Sequence, residues 1–233
     1  MWHFSTNGLN IFSPDGSANL KSYSPDEVCH NYTSSSSWRY RCDWYDVVSD
    51  GKKYVYAAVT RGSKKLDVFD IDSGNFIGAI NTCENPRDLE YHALRDEVWV
   101  RCSKGTSEES HMDVINSNGL FSDSVSTVTV SNSTGNAYGY TTVDATLGDV
   151  GYVTDRSEPK LMKIDLNRRT LVEKIPLNPL NSGTYETAYS KVNKHLYIRS
   201  TVCCTCGFPG ADKGEDCGRY GAQNVTVLVG PNA

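Results

Sequence analysis

A chain of 233 residues with 38% hydrophobic content can bury a sizeable core, as one large all-β domain or two small ones. Its formal charge of −5, with no basic stripe to offset phosphate charge, excludes nucleic acid as a partner. No apolar run approaches the roughly 18 residues needed to cross a bilayer, so no membrane span is expected.

A short hairpin pattern recurs five times along the chain, an alternating apolar strand leading into a turn rich in Asp, Asn, Ser, Gly or Pro. The strands are Leu9-Asn10-Ile11-Phe12 before SPDG, Leu66-Asp67-Val68-Phe69 before DIDSG and Met112-Asp113-Val114-Ile115 before NSNG. Leu161-Met162-Lys163-Ile164 before DLNRR and Val225-Thr226-Val227-Leu228 before VGPN follow. Anchored on Phe12, Phe69, Ile115, Ile164 and Leu228, the copies are 57, 46, 49 and 64 residues apart. A fixed β-hairpin at intervals of roughly 40–60 residues marks a β-propeller.

Each hairpin is preceded by a β-branched and aromatic strand: Trp2-His3-Phe4, Tyr54-Val55-Tyr56, Val98-Trp99-Val100, Gly151-Tyr152-Val153 and Leu196-Tyr197-Ile198. Turns such as Ser49-Asp50-Gly51-Lys52 and Lys191-Val192-Asn193-Lys194 come before these. Candidate inner strands precede the turns, notably Asp88-Leu89-Glu90-Tyr91 and Glu186-Thr187-Ala188-Tyr189. Outer strands follow the hairpins at Phe76 to Ile80, Val125 to Val130 and Leu171 to Ile175. The expected fold is thus an all-β propeller of four-stranded antiparallel blades, with repeats at approximately 1–28, 40–82, 86–130, 138–177 and 183–233. A β-sandwich explains the strand density but not this repeated order. No helical periodicity is visible. The five hairpin anchors are expected to be equivalent and largely buried. The first repeat begins at its second strand and the last stops after its third. This is therefore read as a stretch of a longer propeller, or one whose open edges another chain completes.

PRDLEYHALRDEVWV (86–100) and TYETAYSKVNKHLYI (184–198) resemble YVTN-type propeller repeats. Together with LDVFDIDSGNFIGAI and DEVWVRCS they also resemble the C-terminal propeller region of secreted follistatin-related glycoproteins. The resemblance implies an extracellular, non-enzymatic module. The cysteine-rich segment near the C-terminus has no counterpart in that family, and no follistatin or EF-hand module is present.

Eight cysteines and three sequons, at Asn31, Asn132 and Asn224, favour an oxidising, secreted setting. The opening Met-Trp-His-Phe is no signal peptide, and the reading adopted places a leader upstream. In a propeller, the connectors between blades share a face with the loops joining second and third strands. That places Cys29 with Cys42, and Cys83 with Cys102, on one face as expected bridges. Cys203, Cys204, Cys206 and Cys217 share one long loop. Cys203 and Cys206 have C-x-x-C spacing, but a second pair is absent, so two local disulfides are expected rather than zinc. Their connectivity stays open.

Catalytic constellations are absent: there is no G-x-S-x-G, H-E-x-x-H or phosphate-cradling loop. His92 and His195 fall beside turns, where an exposed polar residue is expected. Asp88 and Glu186 hold equivalent inner-strand positions and are read as solvated channel residues in preference to cation ligands. DIDSGN is read as a β-turn. Trp38, which no strand pattern claims, is read first as plugging its loop onto its own blade and second as a candidate ligand contact. The function expected is a secreted interaction or matrix module without cofactor, metal or catalysis. Its expected partners are an extracellular protein, a matrix component or a glycan. The alternatives are a carbohydrate-binding propeller and, behind it, a cation-dependent hydrolase.

Overall fold

The computed structural model describes residues 2–5, 8–13, 15–24, 44–59, 64–102, 110–117, 126–131, 139–154, 160–177, 181–202 and 223–229. Five antiparallel meanders account for nearly all of them, each with its strands hydrogen-bonded in chain order. The first holds β1 (Trp2–Ser5), β2 (Gly8–Phe12) and β3 (Asn19–Tyr23). The second holds β4 (Trp44–Ser49), β5 (Tyr54–Val59), β6 (Lys65–Asp70) and β7 (Phe76–Asn81). The third holds β8 (Pro86–His92), β9 (Glu97–Cys102), β10 (Ser110–Asn116) and β11 (Ser126–Ser131). The fourth holds β12 (Thr141–Thr142), β13 (Val150–Thr154), β14 (Lys160–Asp165) and β15 (Thr170–Pro176). The fifth holds β16 (Asn181–Ser190), β17 (His195–Val202) and β18 (Gln223–Val229). These are the four-stranded blades that the sequence pattern predicts, with three strands described in the first and last.

A single 3-10 turn at Ala145–Leu147, capped by the Asp144 side chain, is the one helical element among the described residues. No helix there is long and apolar enough to cross a membrane. By its contacts the chain forms two compact units, Met1–Cys102 with Asp113–Ser126, and Ser103–Met112 with Thr127–Ala233. The division passes through β10.

In the first unit the core explains why the second strand of a blade is so apolar. All six residues of β5 are buried. Side chains alternate across a strand, so Tyr54, Tyr56 and Ala58 join one cluster with Leu66, Val68, Leu89, Val98 and Val100. Val55, Ala57 and Val59 join another with Leu9, Ile11 and Phe69. A strand covered on both faces must be apolar on both, and each fully buried large side chain stabilises by roughly 1.5–3 kcal/mol. In the second unit a separate cluster gathers Leu161, Leu177, Leu196 and Ile198.

Three of the five hairpin anchors are equivalent in register. Phe12 pairs with Asn19, Phe69 with Phe76 and Ile164 with Leu171, each partner seven residues on. Each follows a register shift, at Ile11/Phe12, Val68/Phe69 and Lys163/Ile164. The residue after the anchor caps the turn. Asp70 Oδ1 accepts from Ser73 N at 2.8 Å, and Asp165 Oδ1 accepts from Asn167 N and Arg168 N, both at 2.9 Å. DIDSGN is accordingly a β-turn, with Gly74 at φ 65°.

Phe69, Ile115 and Ile164 are buried, but Phe12 is only half-buried, which corrects the expectation of five buried anchors. Phe69 is covered by rings of the preceding meander, Trp2 at 5.5 Å and Tyr23 at 5.8 Å between centroids.

Candidate functional site

The inner strands carry the most distinctive chemistry. β4 and β8 break register near their start, at Trp44/Val47 and Pro86/Asp88, and β16 does so at mid-strand, at Thr184/Glu186. A bulge re-aims side chains at the end of a strand. The residues at these breaks read Tyr45-Asp46, Arg87-Asp88 and Tyr185-Glu186, so a carboxylate recurs at each. Asp88 and Glu186 are equivalent, as the sequence implies, and Asp46 is a third member that sequence reasoning missed. Its signal was the bulky residue before the acid, shared by all three segments.

Each carboxylate has a different neighbour. Asp88 stands directly opposite Arg101 in register, and the pair is buried to 7% and 1% exposure. Glu186 stands opposite Arg199 and accepts from its Nη1 at 3.0 Å. The expectation of plain channel solvation is therefore corrected for Asp88, which is buried, whereas the Glu186 side chain stays 46% exposed beside its arginine. Asp46 has none. Its Oδ2 accepts from Leu89 N at 2.7 Å and its Oδ1 from Val47 N at 2.8 Å. Burial pushes the Asp46 carboxyl above the usual range, against the pull of those two N–H donors.

At the same bulges, Tyr45 is 53% exposed, and the guanidinium carbon of Arg87 lies 5.0 Å from its ring centroid. An aromatic face with an arginine over it, held on two inner strands, is a surface suited to a planar, anionic or sugar-like contact. Beside it, Cys83 and Cys102 form the expected disulfide, with Cα atoms 5.9 Å apart. Cys102 ends β9 opposite Pro86, so the bridge ties the approach to β8 to the end of its partner strand. Thr82 Oγ1 donates to Asp113 Oδ2 at 3.1 Å, and Asp113 is buried.

At the other end of these strands, Asp96 collects Lys52 Nζ at 3.1 Å, Tyr91 Oη at 2.6 Å and the Ser117 hydroxyl. Burial pushes its carboxyl up, but hydrogen bonds from Ser117, Tyr91 and Lys52 outweigh this and hold it below the usual range. This network joins two turns to the end of β10 and is structural. His92, expected to be exposed, is 2% exposed. It closes β8 opposite Glu97, on the covered face of the strand. His195, beside the equivalent turn, is half-buried against Tyr197.

Asn224 lies in β18, paired with Ser200. Asn31, Asn132, Trp38, Cys29, Cys42, Cys203, Cys204, Cys206 and Cys217 lie outside the described residues.

No family model matches the chain. Among solved structures it is similar to Kuenenia stuttgartiensis hydrazine synthase at 13% identity and a TM-score of 0.70, over 96% of this chain and 57% of that one. It is also similar to a protein of unknown function from Bacteroides caccae at 12% identity and a TM-score of 0.54, over 85% of this chain and 63% of that one. The chain thus spans less than two thirds of either neighbour's length. Identities this low speak for the fold alone, an all-β propeller of four-stranded antiparallel blades.

Proposed function

We propose that the chain is a secreted, disulfide-stabilised glycoprotein module that binds an extracellular protein or matrix component without catalysing a reaction. The observation that carries this reading is the Cys83–Cys102 bridge beside the exposed Tyr45–Arg87 pair. Disulfides persist in oxidising compartments, and this one stiffens the strand ends that present an aromatic and a cation to solvent. Stiff, pre-formed surfaces lose less conformational freedom on binding. The resemblance of 86–100 and 184–198 to YVTN-type repeats, and of the wider pattern to follistatin-related glycoproteins, supports the same reading.

A second reading, a carbohydrate-binding module, is favoured by the exposed ring of Tyr45, which offers a stacking face to a sugar. One experiment separates the two. The glycosylated, oxidised protein is applied to arrays of matrix proteins and of glycans, alongside Tyr45→Ala and Arg87→Ala variants. Retention on a matrix protein that both variants lose supports the first reading. Retention on glycans alone supports the second. Free thiols at every cysteine in protein recovered from its native compartment would sink the secreted assignment.

A further inference from the structure

The disulfide corner of the third meander holds a second chemistry in reserve. Cys83 and Asp113 offer donor atoms within 4.8 Å of one another. Cys102 brings its sulfur to the same point through its bond to Cys83. Asp113 lies on β10, and alternate residues of a strand share a face, so His111, two positions earlier, stands on the face of Asp113.

Two sulfurs, a carboxylate and an imidazole make a donor set that zinc accepts in closed, four-coordinate sites. Bonds of about 2.0–2.3 Å put tetrahedral donors roughly 3.3–3.8 Å apart. A spread of no more than 4.8 Å closes to that by side-chain rotation. Cys83, Cys102 and Asp113 are all buried, so water would compete poorly for the ion. The Thr82 hydroxyl donates to Asp113 Oδ2 at 3.1 Å, the kind of outer partner that orients a ligating carboxylate.

We propose that reduction of the Cys83–Cys102 bridge converts this corner into a binding site for zinc or a similar thiolate-seeking divalent cation, held by Cys83, Cys102, Asp113 and His111. The reductant is a dithiol. It gives two electrons and two protons to the Cys83–Cys102 bond, becoming a disulfide itself and leaving two thiols. The cation then displaces both thiol protons to solvent as the sulfurs bind it as thiolates. Bridge and metal are mutually exclusive because they use the same two sulfurs. Either one ties the approach to β8 to the end of β9, and only the metal-free dithiol releases it.

The test uses the full chain, reduced with a dithiol that is removed under anaerobic conditions before zinc or cobalt is added. With zinc present, Cys83 and Cys102 are expected to resist alkylation by N-ethylmaleimide, read peptide by peptide by mass spectrometry. Cobalt is expected to give a tetrahedral, thiolate-ligated absorption spectrum. Asp113→Asn and His111→Ala should each bind one equivalent less than the parent, and Thr82→Val should bind about 10–100-fold more weakly. Equal alkylation of Cys83 and Cys102 with and without zinc would overturn the proposal. So would parental stoichiometry in both variants, which would put the metal on the six remaining cysteines. Should a variant fail to fold, the alkylation result on the parent chain decides alone.

Discussion

Gly74 offers the sharpest test of how the blades meet. It sits in the turn between β6 and β7 at φ 65°, where its N–H donates to Asp70 O at 2.9 Å and its carbonyl accepts from Tyr23 Oη at 2.7 Å. A Cβ added there would lie 2.6 Å from Ile11 Cδ1, with Lys21 Cδ next at 3.6 Å. Gly74→Ala therefore incurs two separate costs. The left-handed backbone costs an alanine roughly 1–2 kcal/mol. The overlap adds about 1 kcal/mol, the low end for overpacking, because Ile11 Cδ1 is the tip of a flexible side chain. Ile11→Val removes that atom at a cost of about 0.5–1.5 kcal/mol by itself. In the Ile11→Val background the overlap is gone, and Gly74→Ala should cost only its backbone share. Urea unfolding of the four proteins should yield a coupling of about 1 kcal/mol between the sites. If Gly74→Ala costs the same in both backgrounds, the two meanders do not meet as described. If it costs less than about 0.5 kcal/mol in either, the left-handed turn is itself wrong.

Replacing both Cys83 and Cys102 with Ala opens a loop of 19 residues' separation, and the chain-entropy relation puts the loss at about 3 kcal/mol, read as a lower urea midpoint. An unchanged midpoint would mean that the bridge does not form. Phe69→Ala should cost about 3–5 kcal/mol, and Phe12→Ala clearly less, since Phe69 is fully buried and Phe12 only half-buried. Equal losses would contradict that packing. Asp46 and Asp96 should respond to pH with opposite signs. Asp46 has a raised folded value, so its contribution is present in acid and lost as pH rises through that value. Asp46→Asn, which keeps an oxygen for Leu89 N–H, should gain on the parent between about pH 3 and pH 7, and a constant difference would refute this. Asp96 has a lowered value, so Asp96→Asn should lose stability at about pH 7 and lose none on this account at about pH 2.

The hairpins and second strands were legible because their constraints are local. A turn needs a capping side chain at a fixed place, and Asp70 and Asp165 provide it. A strand covered on both faces needs an apolar run, and β5 shows it throughout and β9 over Val98-Trp99-Val100. Inner strands were harder. β12 is only two residues long, and the register of β4 slips between Trp44 and Val47, which breaks the alternation that marks a strand. Asp46 was missed with its strand. His92 was misread because nearness to a turn suggests exposure, whereas the last residue of β8 still follows the alternation and falls on the covered face. The meeting of Cys83 with Asp113 had no local signal at all, since pairing across strands creates it.

The three inner-strand carboxylates show how one repeated position diverges. In the third and fifth meanders the second strand places an arginine opposite the acid, and in the fifth the two are ion-paired. In the second meander that strand reads Tyr-Val-Tyr-Ala-Ala-Val, and no cation is available there. Asp46 turns instead to Leu89 N–H, on the first strand of the next meander. A backbone donor answers only part of a buried charge, and burial pushes the Asp46 carboxyl up. The exchange has a structural consequence. An acid satisfied by its neighbour fixes the spacing of β4 and β8, and with it the position of Tyr45 beneath Arg87. The exposed pair proposed to meet a partner is therefore held from below by a hydrogen bond between blades and from the side by a disulfide. Such bracing is what a pre-formed contact surface requires.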